Sequence, residues 1–474
     1  MLDTLTIRNV TSLSLNLRTI EYYQESSPPV KKWFGRSPPR PKQPSREDVL
    51  DGEVRSVGQH DFSIDIAPFS VVSTGSSHNT ERPSNNTYSQ LLRLTFFAGD
   101  RIGNFRIALP SIDRSSAGGV PIDTTSASIH GIYFSNGLLA LFTTVKTNEW
   151  MKRLPDSTPL SSLSIPGTHN SPAHHKNLPS VRCQVVSVRE QLDNGVRFLD
   201  VRLQVDNPSN KELHDLTLVH GSFKVCRSGP NRFHDLWIYD IGHFLEDNPS
   251  ETIILSLKRE GSVEATDSQL ARRLYSHWLR ERVFLKPGIP TLGEARGKVV
   301  LFRRFKLTDE LRELYGSKSG INASQWPDNS PNFQAGQVQV QDYYSLSGSS
   351  EIETKIEYVQ RHCERAAAQL SLEAENAVVS SRGSKKSQKS PLFVNFLSAS
   401  NLRKRGCMLE AIAAKVNPAM LRYLCERHGV ESAGHGPTGI LVGDWMNWSL
   451  VTVVIGMNER LVQSAAPHAT PDRR

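Results

Sequence analysis

Cysteine is scarce in this chain, with five among 474 residues. So sparse and odd a set argues against a disulfide framework, and no pair has the CxxC spacing of a zinc site. Cys183 and Cys226 can pair only if their loops are neighbours. No apolar run approaches the length that spans a bilayer, so a transmembrane anchor is not expected. A GxSxG elbow is missing, which leaves acyl transfer without support. The chain also lacks a helix-turn-helix, zinc-finger or RNA-binding signature, so nucleic acid is not the expected partner. Its N-terminal run "MLDTLTIRNVTSLSLNL" carries Asp3 and alternates polar with apolar residues, unlike the basic start and unbroken apolar segment of a signal peptide. A chain made in the cytoplasm is the expectation, with unconventional export left open.

What is present fits a soluble globular protein, expected to be a monomer, with one large and one smaller domain: 38% hydrophobic residues, 8% aromatic and a mean hydropathy of −0.39. A formal charge of +8 and a pI of about 9.2 suit an anionic partner such as a membrane surface. Residues 1–147 read as short alternating runs, among them "LTIRNV", "DFSIDIAPF", "LLRLTFFA" and "LLALFTT", the period-two pattern of an all-β, sandwich-like domain. The insert "QESSPPVKKWFGRSPPRPKQPSRED" (24–48) is too polar and proline-rich to bury a core, and reads as a surface loop.

From about residue 148 to 465 strands alternate with helix-length segments, the pattern of an α/β fold with parallel strands. Eight candidate strands are "LSIPG" near 163, "RFLDVRL" near 197, "LTLVHG" near 216, "TIILSLKRE" near 252, "KVVLFRR" near 298, "QVQVQDYYS" near 337, "LFVNFLSAS" near 392 and "GILVGDW" near 439. The spacing predicts a (β/α)8 barrel, irregular after its second strand, where "QVDNPSNKELHD" is too polar for a covering helix. Residues 466–474 are expected to be a disordered tail.

In such a barrel the active site lies at the C-terminal ends of the strands. Polar residues fall there repeatedly: His169 and Asn170 after strand one, Asp200 and Arg202 on strand two, and His220 on strand three. Lys258 and Glu260 end strand four, Arg303 and Arg304 strand five, Asp342 and Tyr344 strand six, and Asp444 strand eight. Any one of these taken singly is most often a hydrogen-bonded structural group; the argument is their coincidence. Two histidines, an arginine and an aspartate supply a base, an acid, a phosphate clamp and an orienter for one imidazole, which suits phosphoryl transfer without a metal.

The stretches "LSIPGTHNS", "VREQLDNGVRFLDVRL", "LVHG" and "FLEDNPSETIILSLKRE", followed by "GKVVLFRRF" and "VQDYY", resemble the X domain of bacterial-type phosphatidylinositol-specific phospholipase C. The likeness runs from about 148 to 460; the pairing with a β-rich N-terminal segment looks like that of fungal relatives. This resemblance implies a distorted TIM barrel preceded by the all-β domain, acting as a phosphoric diester hydrolase and lyase on phosphatidylinositol. The inositol 2-hydroxyl attacks phosphorus and releases diacylglycerol; water then opens the cyclic phosphate. It implies His169 as general base oriented by Asp444, His220 as general acid and Arg202 as phosphate ligand. Asp200 lies on the same strand face as Arg202 and is expected in the pocket, while Lys258, Arg304, Asp342 and Tyr344 hold the sugar.

One residue departs from that pattern. Asn170 stands where the bacterial enzymes usually have aspartate, and resembles the calcium-dependent eukaryotic enzymes instead. Calcium needs six to eight oxygens, and those enzymes carry a carboxylate where this chain has Arg202, so no cofactor is expected and calcium is the lesser alternative. His174 and His175 read as rim residues, and the basic run "SSRGSKKSQKS" (380–390) as a solvated linker. Trp326, in the loop after strand five, either seats its ring at a membrane surface or packs on its own loop. The alternatives to phosphatidylinositol cleavage are a phosphodiesterase for another headgroup, glycosylated or free of inositol, and a catalytically silent lipid-binding protein.

Overall fold

The computed structural model describes residues 5–24, 46–52, 56–75, 90–110, 118–380, 390–404, 406–428 and 436–463. Expectations for most of the proline-rich insert, the basic run and the C-terminal tail fall outside them. Two compact units divide the chain, Met1–Val145 and Lys146–Arg474.

The first unit is built from two five-stranded sheets. One is ordered Ser70–Ser73, Thr6–Asn9, Leu138–Thr143, Ile129–Tyr133, Val120–Pro121; the other Gly58–Ile66, Leu15–Gln24, Gln90–Phe97, Asn104–Leu109, Asp123–Thr124. Alternation along each strand sends one face to a common buried cluster, to which Ile7, Leu139 and Leu141 come from one sheet and Leu17, Leu94 and Phe96 from the other.

All eight stretches expected to be strands in the second unit are strands: β1 (Ile165–Thr168), β2 (Phe198–Val205), β3 (Leu216–His220), β4 (Ile253–Arg259), β5 (Val299–Arg303), β6 (Val338–Gln341), β7 (Leu392–Phe396) and β8 (Ile440–Gly443). Seven pair in parallel, in the order β5-β4-β2-β1-β8-β7-β6. Parallel strands covered on both faces read as continuous apolar runs, and β1, β7 and β8 are buried throughout. Gly167 permits the close approach of β1's neighbours, since a Cβ there would meet Phe198 at 3.0 Å and Val442 at 3.2 Å.

The eightfold parallel barrel is corrected in two places. β3 runs antiparallel to β2, with Leu203 opposite Leu218, because the short polar connection cannot form a crossover helix and turns back as a hairpin. The curled sheet is also open among the described residues. Ile321–Asn322 pairs only with β5 and Phe333–Ala335 only with β6, so the segment 323–332 joins the two free edges as a loop. A long helix, Ile352–Ser380, fills most of the connection from β6 to β7, where the sequence reading had no element.

Beneath the strand ends the sheet is pinned by a buried ion pair. Arg197 Nε donates to Glu251 Oε2 at 3.0 Å, and its other nitrogens donate to the carbonyls of Leu192, Val196, Thr147 and Asn148. Both side chains are wholly buried, so removing either partner alone would strand a charge at about 3–5 kcal/mol. This fixes the start of β2, and with it the height at which Asp200 and Arg202 stand.

Candidate active site

His169 follows β1 directly, and its N–H donates to the carbonyl of Gly443 at 3.0 Å, tying it to the end of β8. Gln184 Nε2 donates to both carbonyls, His169 at 2.8 Å and Gly443 at 2.9 Å. That brace brings Asp444 beside the ring, where His169 Nδ1 lies 2.7 Å from Asp444 Oδ1. A carboxylate there accepts from Nδ1–H, which leaves the lone pair on Nε2. Arg202 Nη2 donates to that atom at 2.8 Å.

Alternation along β2 places Asp200 and Arg202 on one face. Arg202 Nε donates to Asp200 Oδ2 at 3.2 Å and its Nη1 to both oxygens of Glu260, at 3.1 and 3.3 Å. Burial opposes the guanidinium charge, but Glu260 and Asp200 override it and its pKa moves up. For Asp200, burial pushes the carboxyl up while Arg202 and Arg304 hold it well below the usual carboxylate range. Glu260 behaves alike: burial raises it, but Arg202 and Lys258 draw it down to about 2.

His220 closes the cluster, its ring centroid 5.4 Å from that of His169 at a near-perpendicular angle. Its Nδ1 lies 2.9 Å from the carbonyl of Val181 and 3.5 Å from Cys183 Sγ. Burial, then Arg202 and His169, pull this imidazole down to about 3, so it is neutral at neutral pH. Burial and the Asp444 carboxylate push the Cys183 thiol well up. Cys183 and Cys226 are both free thiols.

These groups open onto a cavity of about 350 Å³ lined by His169, Arg202, His220, Lys258, Glu260, Arg304, Trp326, Asp328, Asp342 and Tyr344. Eight of the eleven site residues singled out from sequence therefore line it. Asp200 and Asp444 are buried behind it, orienting Arg202, Arg304 and His169 rather than facing the cavity, a correction to the expectation for Asp200. Asn170 does not reach it either. The φ of 37° at Asn170 turns the backbone so that its N–H donates to Asp200 Oδ2, while Nδ2 donates to the Val219 carbonyl at 3.2 Å. Its Oδ1 is buried with no hydrogen-bond partner among the described residues. With Asp200 and Glu260 both held by guanidinium groups, this set does not offer calcium its six to eight oxygens.

Trp326 is half-buried in the loop that bridges the open edges, and the Arg304 guanidinium lies 4.0 Å from its ring centroid. It lines the cavity with that cation–π contact against its ring. Asp342 and Tyr344 follow β6 on a turn held by Gln341, whose Oε1 accepts from Tyr343 N at 2.8 Å and from the buried Lys355 Nζ at 3.1 Å. Burial pulls that amine down to about 7. Tyr344 donates its hydroxyl to Asp328 at 3.0 Å.

Sequence reasoning left Glu260 without a role, although its spacing of two from Lys258 is the alternation that selected Asp200 and Arg202. Cys183, Asp328 and Lys355 stand in loops or on a helix and carry no comparable signal.

Residues 156–305 match the family model for the phosphatidylinositol-specific phospholipase C X domain. A 1-phosphatidylinositol phosphodiesterase of Listeria monocytogenes is 33% identical over 168 residues, 33% of this chain and 49% of the relative. The chain thus spans about half the length of that relative. The 1-phosphatidylinositol phosphodiesterase of Staphylococcus aureus (strain Newman) is 25% identical over 312 residues, 63% of this chain and 88% of the relative. In fold, a mutant of the phosphatidylinositol-specific phospholipase C from S. aureus matches with a TM-score of 0.51 at 23% identity, over 66% of this chain and 98% of that one. The second unit is therefore TIM-barrel-like and carries the X-domain sequence that it resembles.

The depressed carboxyl of Glu260 gives a pH test with a definite sign. A group whose folded pKa lies below its ordinary 4.5 adds stability that is full above 4.5 and is lost as pH falls through about 2. Denaturant unfolding followed from pH 5 to 2 is expected to show a shallower loss in Glu260→Gln than in the native chain, with the Asp200 contribution remaining. An unchanged slope would remove Glu260 from the ion-pair cluster.

Proposed function

We propose that this chain cleaves phosphatidylinositol, releasing diacylglycerol and a cyclic inositol phosphate, without a metal. The observation that carries this reading is the contact of Arg202 with His169 Nε2, the atom that must take the proton from the attacking hydroxyl. Binding of the headgroup exchanges that contact: the guanidinium turns its N–H groups to the phosphate oxygens, and Nε2 accepts from the inositol 2-hydroxyl. Asp444 holds the Nδ1–H tautomer and stabilises the imidazolium that forms. His220 donates to the leaving glycerol oxygen, and the bound phosphodiester anion offsets the cationic and apolar surroundings that keep its ring neutral beforehand. Water then opens the cyclic ester with the two histidines exchanging roles.

Lys258, Arg304, Asp342 and Tyr344 suit a polyol: two cations, a carboxylate and an aromatic face over a small polar cavity. The N-terminal unit reads as sandwich-like, two sheets over one cluster. Membrane contact falls to the loops that follow the strands. Leu178, Phe223, Leu402 and Trp448 come from the loops after β1, β3, β7 and β8 and are 42%, 52%, 53% and 47% exposed. Lys176, Lys224, Arg403 and Lys404 are exposed beside them, the mixture of apolar and cationic groups that suits an anionic bilayer surface.

Phosphorus NMR of the full chain with phosphatidylinositol vesicles in EDTA is expected to show a growing cyclic inositol phosphate signal, reduced at least about a hundredfold in His169→Ala. Product only from another phosphodiester headgroup would move the substrate, product only with calcium would overturn the metal-free chemistry, and no product at all would leave a lipid binder. For the rim, Phe223→Ser combined with Leu178→Ser is expected to raise the vesicle concentration at half-maximal binding at least about tenfold. Unchanged vesicle binding would rule these loops out as the contact.

A further inference from the structure

His169, Cys183 and Asp444 form a second arrangement within the first. One donor atom from each, an imidazole nitrogen, the Sγ and a carboxylate oxygen, lies within 4.8 Å of the others, all three residues are buried, and Nδ1 is the nitrogen that faces Asp444. Their positions are built rather than incidental. Cys183 N–H donates to the Ala173 carbonyl at 2.8 Å, and the Cys183 carbonyl accepts from Trp445 N–H, the residue after Asp444, also at 2.8 Å. Asp444 is held from behind by Asn417 Nδ2, which donates to its backbone carbonyl at 2.9 Å. A further feature points to a missing ligand. Asp444 Oδ2 is buried and has no hydrogen-bond partner among the described residues, although its twin Oδ1 is fully engaged by His169.

We propose that these three side chains bind one zinc ion, and that the ion switches the catalytic base off. A thiolate, an imidazole nitrogen and a carboxylate oxygen are a borderline-soft donor set that favours zinc over the hard, oxygen-seeking calcium. Tetrahedral zinc sets such donors about 3.3–3.7 Å apart, so the set closes slightly around the ion while the imidazole and carboxylate spread; water from the adjacent cavity completes the fourth position. The bookkeeping of protons gives the inhibition. Cys183 releases its thiol proton to solvent as the zinc–sulfur bond forms. Zinc takes the Nδ1 lone pair, so the one proton of the neutral imidazole passes to Nε2. An Nε2–H can neither accept a proton from a substrate hydroxyl nor a hydrogen bond from Arg202.

The inhibitory half of this inference rests on His169 being the base; the binding half does not. The test uses the full chain stripped with chelator and titrated with cobalt(II), which reports a thiolate ligand by its near-ultraviolet charge-transfer band, and then with zinc. One equivalent of cobalt is expected to raise the band, zinc to abolish it, and Cys183→Ser to lack it and to bind zinc at least about tenfold more weakly. Phosphatidylinositol cleavage by the native chain should fall to background as zinc fills the site and return with EDTA. Cys183→Ser should keep its own metal-free rate at that zinc concentration. No thiolate band in the native chain, or an equal band in Cys183→Ser, would overturn the site. Zinc binding with no cleavage under any condition would leave the site standing and defeat the catalytic reading.

Discussion

The geometry of this barrel mouth turns on the guanidinium of Arg202. Among the described residues it touches at once the proposed base, a buried carboxylate on its own strand and the carboxylate just past the end of the neighbouring strand. A cation so placed needs its anions, and Arg202 in turn lowers the carboxyls of Asp200 and Glu260, with Arg304 acting on the first and Lys258 on the second. The cluster is therefore coupled: each buried charge offsets the desolvation of its opposite neighbours. In the proposed reaction the planar fork of arginine takes the place of a divalent ion beside the phosphate.

Everything beneath that contact serves to fix its height and angle. The Arg197–Glu251 pair anchors the start of β2 three residues before Asp200, and Gln184 locks the carbonyls of His169 and Gly443 together so that β1 and β8 present base and orienter in register. On the far side, where the sheet stays open, the wall is a loop. Its rigidity comes from Trp326 under Arg304 and from Asp328 under Tyr344 rather than from strand pairing.

Residues on strands were legible because the two-residue period forces them to a known face and height. Arg202, His220 and Lys258 stand on strands, His169, Arg304, Asp342 and Tyr344 were placed at the mouth because they follow strand ends, and all seven line the cavity. What the period cannot report is which way a loop turns. Asn170 was placed at the mouth beside His169, yet a left-handed φ turns its side chain to the Val219 carbonyl; the loop position of Trp326 gave no sign of the guanidinium that lies against its ring. The direction of β3 was hidden for a related reason, since a strand's burial pattern is the same run either way and only the polar connection hinted at a hairpin. Cys183 entered only as a possible partner of Cys226, since a lone loop thiol has no pattern around it to mark a place at the site, and the helix Ile352–Ser380 had no counterpart in the sequence reading.

Replacing Arg202 by lysine tests the central claim most directly, because it keeps the charge and removes the fork. Rates on phosphatidylinositol vesicles in EDTA, with kcat and KM separated, should show kcat down at least about a hundredfold and the fold unchanged by circular dichroism. A lysine variant with native kcat would contradict the account, since a point charge cannot both hold two carboxylates and clamp a phosphate through two directed N–H groups.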